Sequence, residues 1–294
     1  MLTRRQVALL VALTLIWGAN WPVMKFCLRE LTPLWFRALT MTAGALALLA
    51  WFVHRGVDMR LPRAEIGRVA WLALPNIIGW HFFSILGLQE LASGRAAILG
   101  FTMPVWTVLL GVLLTGERMT PRTWAAVVMG TAAVALLSGS ELARLAGRPL
   151  GVVWMQLAAI SWAAGTLLMR RTSSPLSTEA VTVWMMVVGS VFFWIVAMAS
   201  EAAPAPQAFS GAMWLAMAYV AFVNFGYAQV IWFSMARDLP PTASAFSIMA
   251  VPAVGTALGM MIVGEQPSWA DWAASVCIVL AIAAALLPRR ASAR

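Results

Sequence analysis

His81 and Asn224 are the residues whose chemistry first asks for an explanation. His81 stands in the run IIGWHFFSILG and Asn224 in YVAFVNFGYAQ, each flanked by large apolar side chains. An imidazole has an unperturbed pKa of about 6.5 and changes charge near neutral pH, while a carboxamide both donates and accepts hydrogen bonds. At an offset of 143, His81 falls on Asn224 and Ser84 on Tyr227, so polar positions pair across two similar segments. Polar groups in such runs either bind a ligand or bond a neighbouring helix, and both readings stay open here. Asn76, just after Pro75, is a further candidate, as is Asn20, one helical turn beyond Trp17. Asn20 could bind an amino or carboxyl group, or bond its own helix beside Pro22. Ser244 offers a hydroxyl, although back-bonding to its own helix is the commoner fate of such a group.

Sixteen tryptophans accompany these groups. Trp71, Trp124, Trp214 and Trp272 open their apolar runs and suit the membrane interface. Trp17, Trp80, Trp106 and Trp162 lie deeper, and small residues follow Trp17 (Gly18-Ala19) and Trp162 (Ala163-Ala164-Gly165). A cavity walled by such rings would stack a flat apolar solute or hold an ammonium by cation–π attraction. Plain packing is the alternative for each ring.

Other chemistries lack their residues. All eleven acids fall near the ends of apolar runs or between them. The absence of a carboxylate mid-run argues against a carboxylate proton relay and for facilitated export or exchange. The chain has neither a H-E-x-x-H zinc site nor a G-x-S-x-G nucleophile, so an enzyme is not expected. Two cysteines, Cys27 and Cys277, make neither a metal cluster nor a disulfide framework, and no metal or cofactor is expected. The net charge of +9 is spread over the connections, which points to membrane topology rather than to nucleic acid.

The elements that must position these residues are membrane spans. Hydrophobic residues make up 62% of the 294-residue chain and charged residues 11%, where a soluble domain carries roughly 25% charged. Ten segments have the roughly 20 apolar residues that a spanning helix needs: 6–24, 33–53, 66–88, 93–115, 121–138, 150–169, 178–199, 211–236, 242–263 and 268–288. The first has the basic head of a signal peptide but no clear cleavage site, and is read as a retained span. Small-residue stretches such as 255–259 suit packing within one chain or between chains.

The sequence also repeats itself. At an offset of 148, Pro104 falls on Pro252, Gly111 on Gly259, Gly116-Glu117 on Gly264-Glu265 and Trp124 on Trp272. At 145, Trp17 falls on Trp162 and Gly44 on Gly189. Two homologous halves, 1–148 and 149–294, are therefore expected to make one transport domain. Arginines crowd alternate connections, with Lys25, Arg29, Arg37 and Arg95 on the poorer side, which puts both termini in the cytoplasm. Five spans per half then give an all-α integral membrane fold of two inverted five-helix repeats, with a substrate site near the midplane. Pro104 and Pro252 would be matched kinks for alternating access, and Glu117 and Glu265 would fix the adjoining helix ends.

With a Trp in the first helix of each half (LIWGANW, AISWAAG) and a Pro-containing fourth helix closing on Gly-Glu (LLTGE, MIVGE), the chain resembles the drug/metabolite transporter superfamily, EamA type. Within it, the Trp-rich, Met-rich helices are most similar to the bacterial aromatic amino-acid exporters. The resemblance implies a bacterial inner-membrane carrier for small solutes. Export of amino acids, aromatic ones favoured and Met or Thr included, is the expected function. A broad drug or quaternary-amine exporter on the same scaffold is the alternative.

Overall fold

Long apolar runs leave a backbone no polar partner in a membrane but itself, so they coil into helices. The computed structural model describes residues 3–115, 119–143, 149–236 and 241–286, and their side chains apart from 115, 141–143, 233–236, 241–248 and 286. Its helices are α1 (Arg4–Cys27), α2 (Pro33–His54), α3 (Arg63–Glu90), α4 (Ser93–Leu114), α5 (Pro121–Ala143), α6 (Pro149–Arg171), α7 (Thr178–Ser200), α8 (Gly211–Trp232), α9 (Pro241–Ile262) and α10 (Trp269–Leu286). The first eight are long and apolar enough to cross a membrane; α9 and α10 supply shorter apolar stretches, Met249–Ile262 and Trp269–Ala285. No strand forms among the described residues. Local chemistry sets the starts: Thr3 makes a capping box with Gln6, Pro33 opens α2, and the Ser177 and Ser210 hydroxyls accept from Ala180 and Met213.

Two helices widen in mid-course, Leu74–Gly79 of α3 and Tyr219–Tyr227 of α8 being π-helical. Pro75, which lacks a backbone N–H, accounts for the first; nothing in the sequence of the second accounts for it. The prolines expected to act as a pair differ. Ahead of Pro104 the α4 helix breaks after Gly100 and resumes at Met103, whereas Pro252 lies inside unbroken α9. The Pro104 ring conflicts with the carbonyl one turn back, that of Gly100, and the chain turns there. At Pro252 the helix holds, and the Thr256 hydroxyl takes the proline's own carbonyl at 3.0 Å.

Close packing brings these helices together. Helix α1 lies on α9 and α6 on α4; α3 lies on α6 and α8 on α1; α2 pairs with α7, and α5 with α10. These pairs map onto one another when each of the first five helices is exchanged for its counterpart five places on. Glycines allow the close contacts. A Cβ at Gly44 would stand 2.5 Å from Phe225 Cβ in widened α8, and one at Gly189 would stand 2.4 Å from Ile77 in widened α3. Gly18 is pressed against Val254 and Gly255 of α9 in the same way.

Candidate functional site

Trp80 leaves the widened segment of α3 between two other indoles. Its ring centroid is 6.4 Å from Trp21 of α1 and 5.2 Å from Trp162 of α6, edge-on to both. This geometry suits the quadrupoles of aromatic rings. Trp106 stands on the second part of α4, where its indole N–H donates to Gln156 Oε1 of α6 at 2.9 Å; the Thr102 hydroxyl reaches the same oxygen at 3.3 Å. Trp17 instead pairs with Trp232, 5.7 Å away, over a small apolar cluster of Leu10, Leu13, Ala228 and Ile231.

The polar candidates divide into those with partners and those without. Asn76 donates to Leu72 O of its own helix at 2.8 Å and is held against Gly165 of α6. Asn20 donates to Met24 Sδ at 3.4 Å, but its Oδ1 is buried without a partner. His81 Nδ1 and Asn224 Oδ1 are likewise buried and unbonded. The His81 ring meets Phe225, the neighbour of Asn224, at 5.4 Å, which brings α3 and α8 together at this point. Ser84 donates weakly to His81 O at 3.4 Å. Tyr227 is 54% exposed rather than enclosed with them, while Tyr219 places its hydroxyl 2.7 Å from Ile16 O. The side chains of Ser244 and Glu117 lie outside the described residues.

Arg37 corrects the sequence reading, which counted it with the arginines of the connections. It sits one turn inside α2, only 2% exposed, with its guanidinium 5.6 Å from the Phe36 ring, and α2 packs against the part of α3 that begins at Trp80. Its Nε has no partner. Counting positive residues by connection assigns a residue near a helix start to the loop, so the burial went unseen. Gln156 and Trp21 were also passed over. A neutral amide in an apolar run was the available signal for Gln156; for Trp21, one turn from Trp17, no sequence signal chooses between the two rings.

Where α1–α2, α3–α4, α7–α8 and α9–α10 connect, charged groups clasp the bundle. Glu265 accepts from Ser93 N at 2.6 Å, Ser93 Oγ at 2.9 Å and Gly94 N at 3.2 Å, so it caps α4. Gly264, at φ +74°, makes the turn that aims it there. Arg95 forks onto Asp271 at 2.6 and 3.1 Å, both side chains nearly fully buried. Glu201 caps α2 through Leu34 N and Trp35 N and takes the Thr32 hydroxyl at 2.6 Å. Lys25 donates to Leu88 O and Gln89 O, and Arg29 to Val263 O. Two clefts of about 260 and 220 Å³ open among these groups and share Glu265; none of the deep tryptophans lines either one.

Comparison with known proteins decides the family. The profile of the EamA-like transporter family matches this chain twice, over residues 4–139 and 149–287. The chain belongs to the EamA-like transporter family. It is 23% identical to the uncharacterized transporter YoaV of Bacillus subtilis, over 87% of this chain and 88% of that one. Against the uncharacterized inner membrane transporter YedA of Escherichia coli K12, identity is 26%, over 93% and 88%. A solved crystal structure, 23% identical, covers 97% of both chains with a TM-score of 0.68, a likeness of fold. This EamA-family member is thus a multi-pass membrane transporter rather than an enzyme by family.

Proposed function

We propose that this transporter exports amino acids, aromatic ones favoured, and related amphipathic metabolites across a bacterial inner membrane. The halves 1–148 and 149–294 form one inverted-repeat unit with cytoplasmic termini and rock about a central site between α1, α3, α4, α6, α8 and α9. Support for two halves comes from the exchange-invariant helix pairing and the two family matches. The site reading is supported by two buried atoms without partners, His81 Nδ1 and Asn224 Oδ1, on helices that meet at the His81–Phe225 contact, and by the indole row Trp21, Trp80 and Trp162. The rings hold the apolar body of the solute by area burial; the unbonded atoms take its polar end, since native structures rarely leave such groups unmet without a use. Asn20, Asn76, Trp17 and Trp106 line the path around that site, and Pro104, Pro252 and Glu265 govern the bends and ends of α4 and α9. The bacterial aromatic amino-acid exporter YddG, with its Trp-rich and Met-rich helices, is the resemblance behind the aromatic preference.

A drug or quaternary-amine exporter would use the same indole row by cation–π attraction. The buried guanidinium of Arg37, on the helix that packs against the part of α3 holding His81, disfavours a cationic cargo there, because like charges repel strongly out of water. Uptake of labelled phenylalanine, tryptophan, methionine and threonine into liposomes holding the purified protein tests the proposal, with tetraethylammonium as the cationic comparison. Amino-acid uptake down its own gradient is expected. Uptake of the cation alone would overturn the assignment in favour of the drug exporter.

A further inference from the structure

Arg37 presents an anomaly that the proposed site does not use. A guanidinium stays protonated under any physiological condition, and an unpaired charge inside a membrane span is costly enough to mark a functional position by default. Its expected counterion would be an acid, yet among the described residues it makes no ion pair and its Nε has no hydrogen-bond partner. Glu201, which caps the turn before it, has its oxygens engaged by Thr32, Leu34 and Trp35. The charge is instead shielded by the Phe36 ring at 5.6 Å, a small compensation. On the part of α3 that α2 packs against, His81 Nδ1 is a second nitrogen without a partner, and at the His81–Phe225 contact the next residue of α8, Asn224, has an Oδ1 without a donor.

We infer that Arg37, with His81, binds the carboxylate of the transported solute, and that Asn224 Oδ1 takes its ammonium. This deepens the amino-acid reading above and rests on it. Two nitrogens free to meet an anion and one oxygen free to meet a cation make the complement of an α-amino acid zwitterion. A guanidinium suits the first part, because its planar fork matches the two oxygens of a carboxylate. A zwitterion carries no net charge, so loading leaves the net charge of the bundle unchanged while it gives the Arg37 guanidinium a carboxylate partner and places the ammonium on Asn224.

The test compares four labelled compounds in liposomes: phenylalanine, phenylalaninamide, 3-phenylpropionate and phenethylamine. Wild-type protein is expected to take up phenylalanine, to be inhibited by 3-phenylpropionate, and to ignore the amide and the amine. Arg37→Gln should lower phenylalanine uptake on the order of tenfold to a hundredfold and abolish inhibition by 3-phenylpropionate, with unchanged size-exclusion behaviour. Arg37→Lys should recover part of the uptake. Phenylalaninamide transported as well as phenylalanine by wild type would overturn the carboxylate site without recourse to any variant, as would full phenylalanine uptake by Arg37→Gln; in both cases the amino-acid reading survives. Uptake of 3-phenylpropionate but not phenylalanine, lost in Arg37→Gln, would keep the carboxylate site and overturn the amino-acid reading. Transport of phenethylamine alone would overturn both.

Discussion

Polar groups at the connected end of the bundle and polar groups in its middle are treated in opposite ways. At the end, each oxygen of Glu201, Glu265 and Asp271 is held by short bonds to amides, hydroxyls or a guanidinium. Farther from that end, Asn20, His81 and Asn224 each keep an atom that bonds nothing, as do Arg37 and Trp35 in the first turns of α2. Asp271 is as deeply buried as Arg37, His81 and Asn224, so exposure alone does not explain the difference. Satisfied groups contribute to stability and specify how the helix ends meet; unmet ones weaken the fold and persist only where something else uses them. The comparison therefore separates the parts that hold this transporter together from the parts proposed above to act on its cargo.

The largest effect should come from breaking the best-satisfied pair. Arg95→Ala or Asp271→Ala leaves the other member as a buried, uncompensated charge, at a cost of about 3–5 kcal/mol. Thermal unfolding in detergent should register this loss, while Arg95→Met combined with Asp271→Leu should recover much of it. Equal destabilisation by the single and double variants would mean that the pair's geometry, rather than its charge, matters. Next come the glycines that seat the widened segments. Gly44→Ala drives a methyl to 2.5 Å from Phe225 Cβ, and Gly189→Ala drives one to 2.4 Å from Ile77; about 1–3 kcal/mol is expected from such overpacking. An unchanged melting temperature in either variant would mean that α3 and α8 shift freely.

Much of this division was legible in the residues. Apolar runs of spanning length give helices because no other backbone arrangement satisfies itself in lipid, and eight of the expected segments reappear as long helices. By sequence Glu265 is expected at the end of its own helix, α9; it reaches instead the first amides of α4, from a turn whose positive φ at Gly264 suits glycine. Three further things were not legible. The burial of Arg37 depends on what packs over the first turn of α2, which loop counting ignores. The π-helical widening of α3 and α8 rotates the residues beyond it relative to a regular helix, so a helical wheel drawn from Trp71 misplaces His81. The edge-on contact of Trp80 with Trp21, rather than Trp17, depends on the approach of α1 to α3, and two indoles one turn apart look equivalent along the chain.

Removing an unmet group should do the reverse of breaking a met one. Asn224→Leu is expected to leave stability within about 1 kcal/mol of wild type, or to raise it, because a partnerless acceptor leaves the interior. Uptake of phenylalanine by the same variant should fall roughly tenfold or more, as expected for a lost charge-assisted bond. Destabilisation as large as that of Asp271→Ala would place Asn224 with the structural groups and erase the distinction.

The smallest effect concerns a clasp in water. Glu30, in the connection between α1 and α2, accepts from Ser210 N at 2.9 Å and Ser210 Oγ at 2.7 Å, and these bonds, the backbone one first, hold its carboxyl below the usual glutamate pKa. A pKa lowered by folding means that the native state favours the ionised form. The contribution is therefore complete above the ordinary glutamate pKa and fades as the pH falls through the lowered one. Glu30→Gln keeps the shape and removes the titration, so wild type should be slightly the more stable at neutral pH, and the two melting curves should converge on acidification. Because Glu30 is exposed, water and salt screen the bond and the gap should be small. A gap that does not change with pH would show that the hydrogen bonds alone hold α8 to this connection, and that the charge contributes nothing.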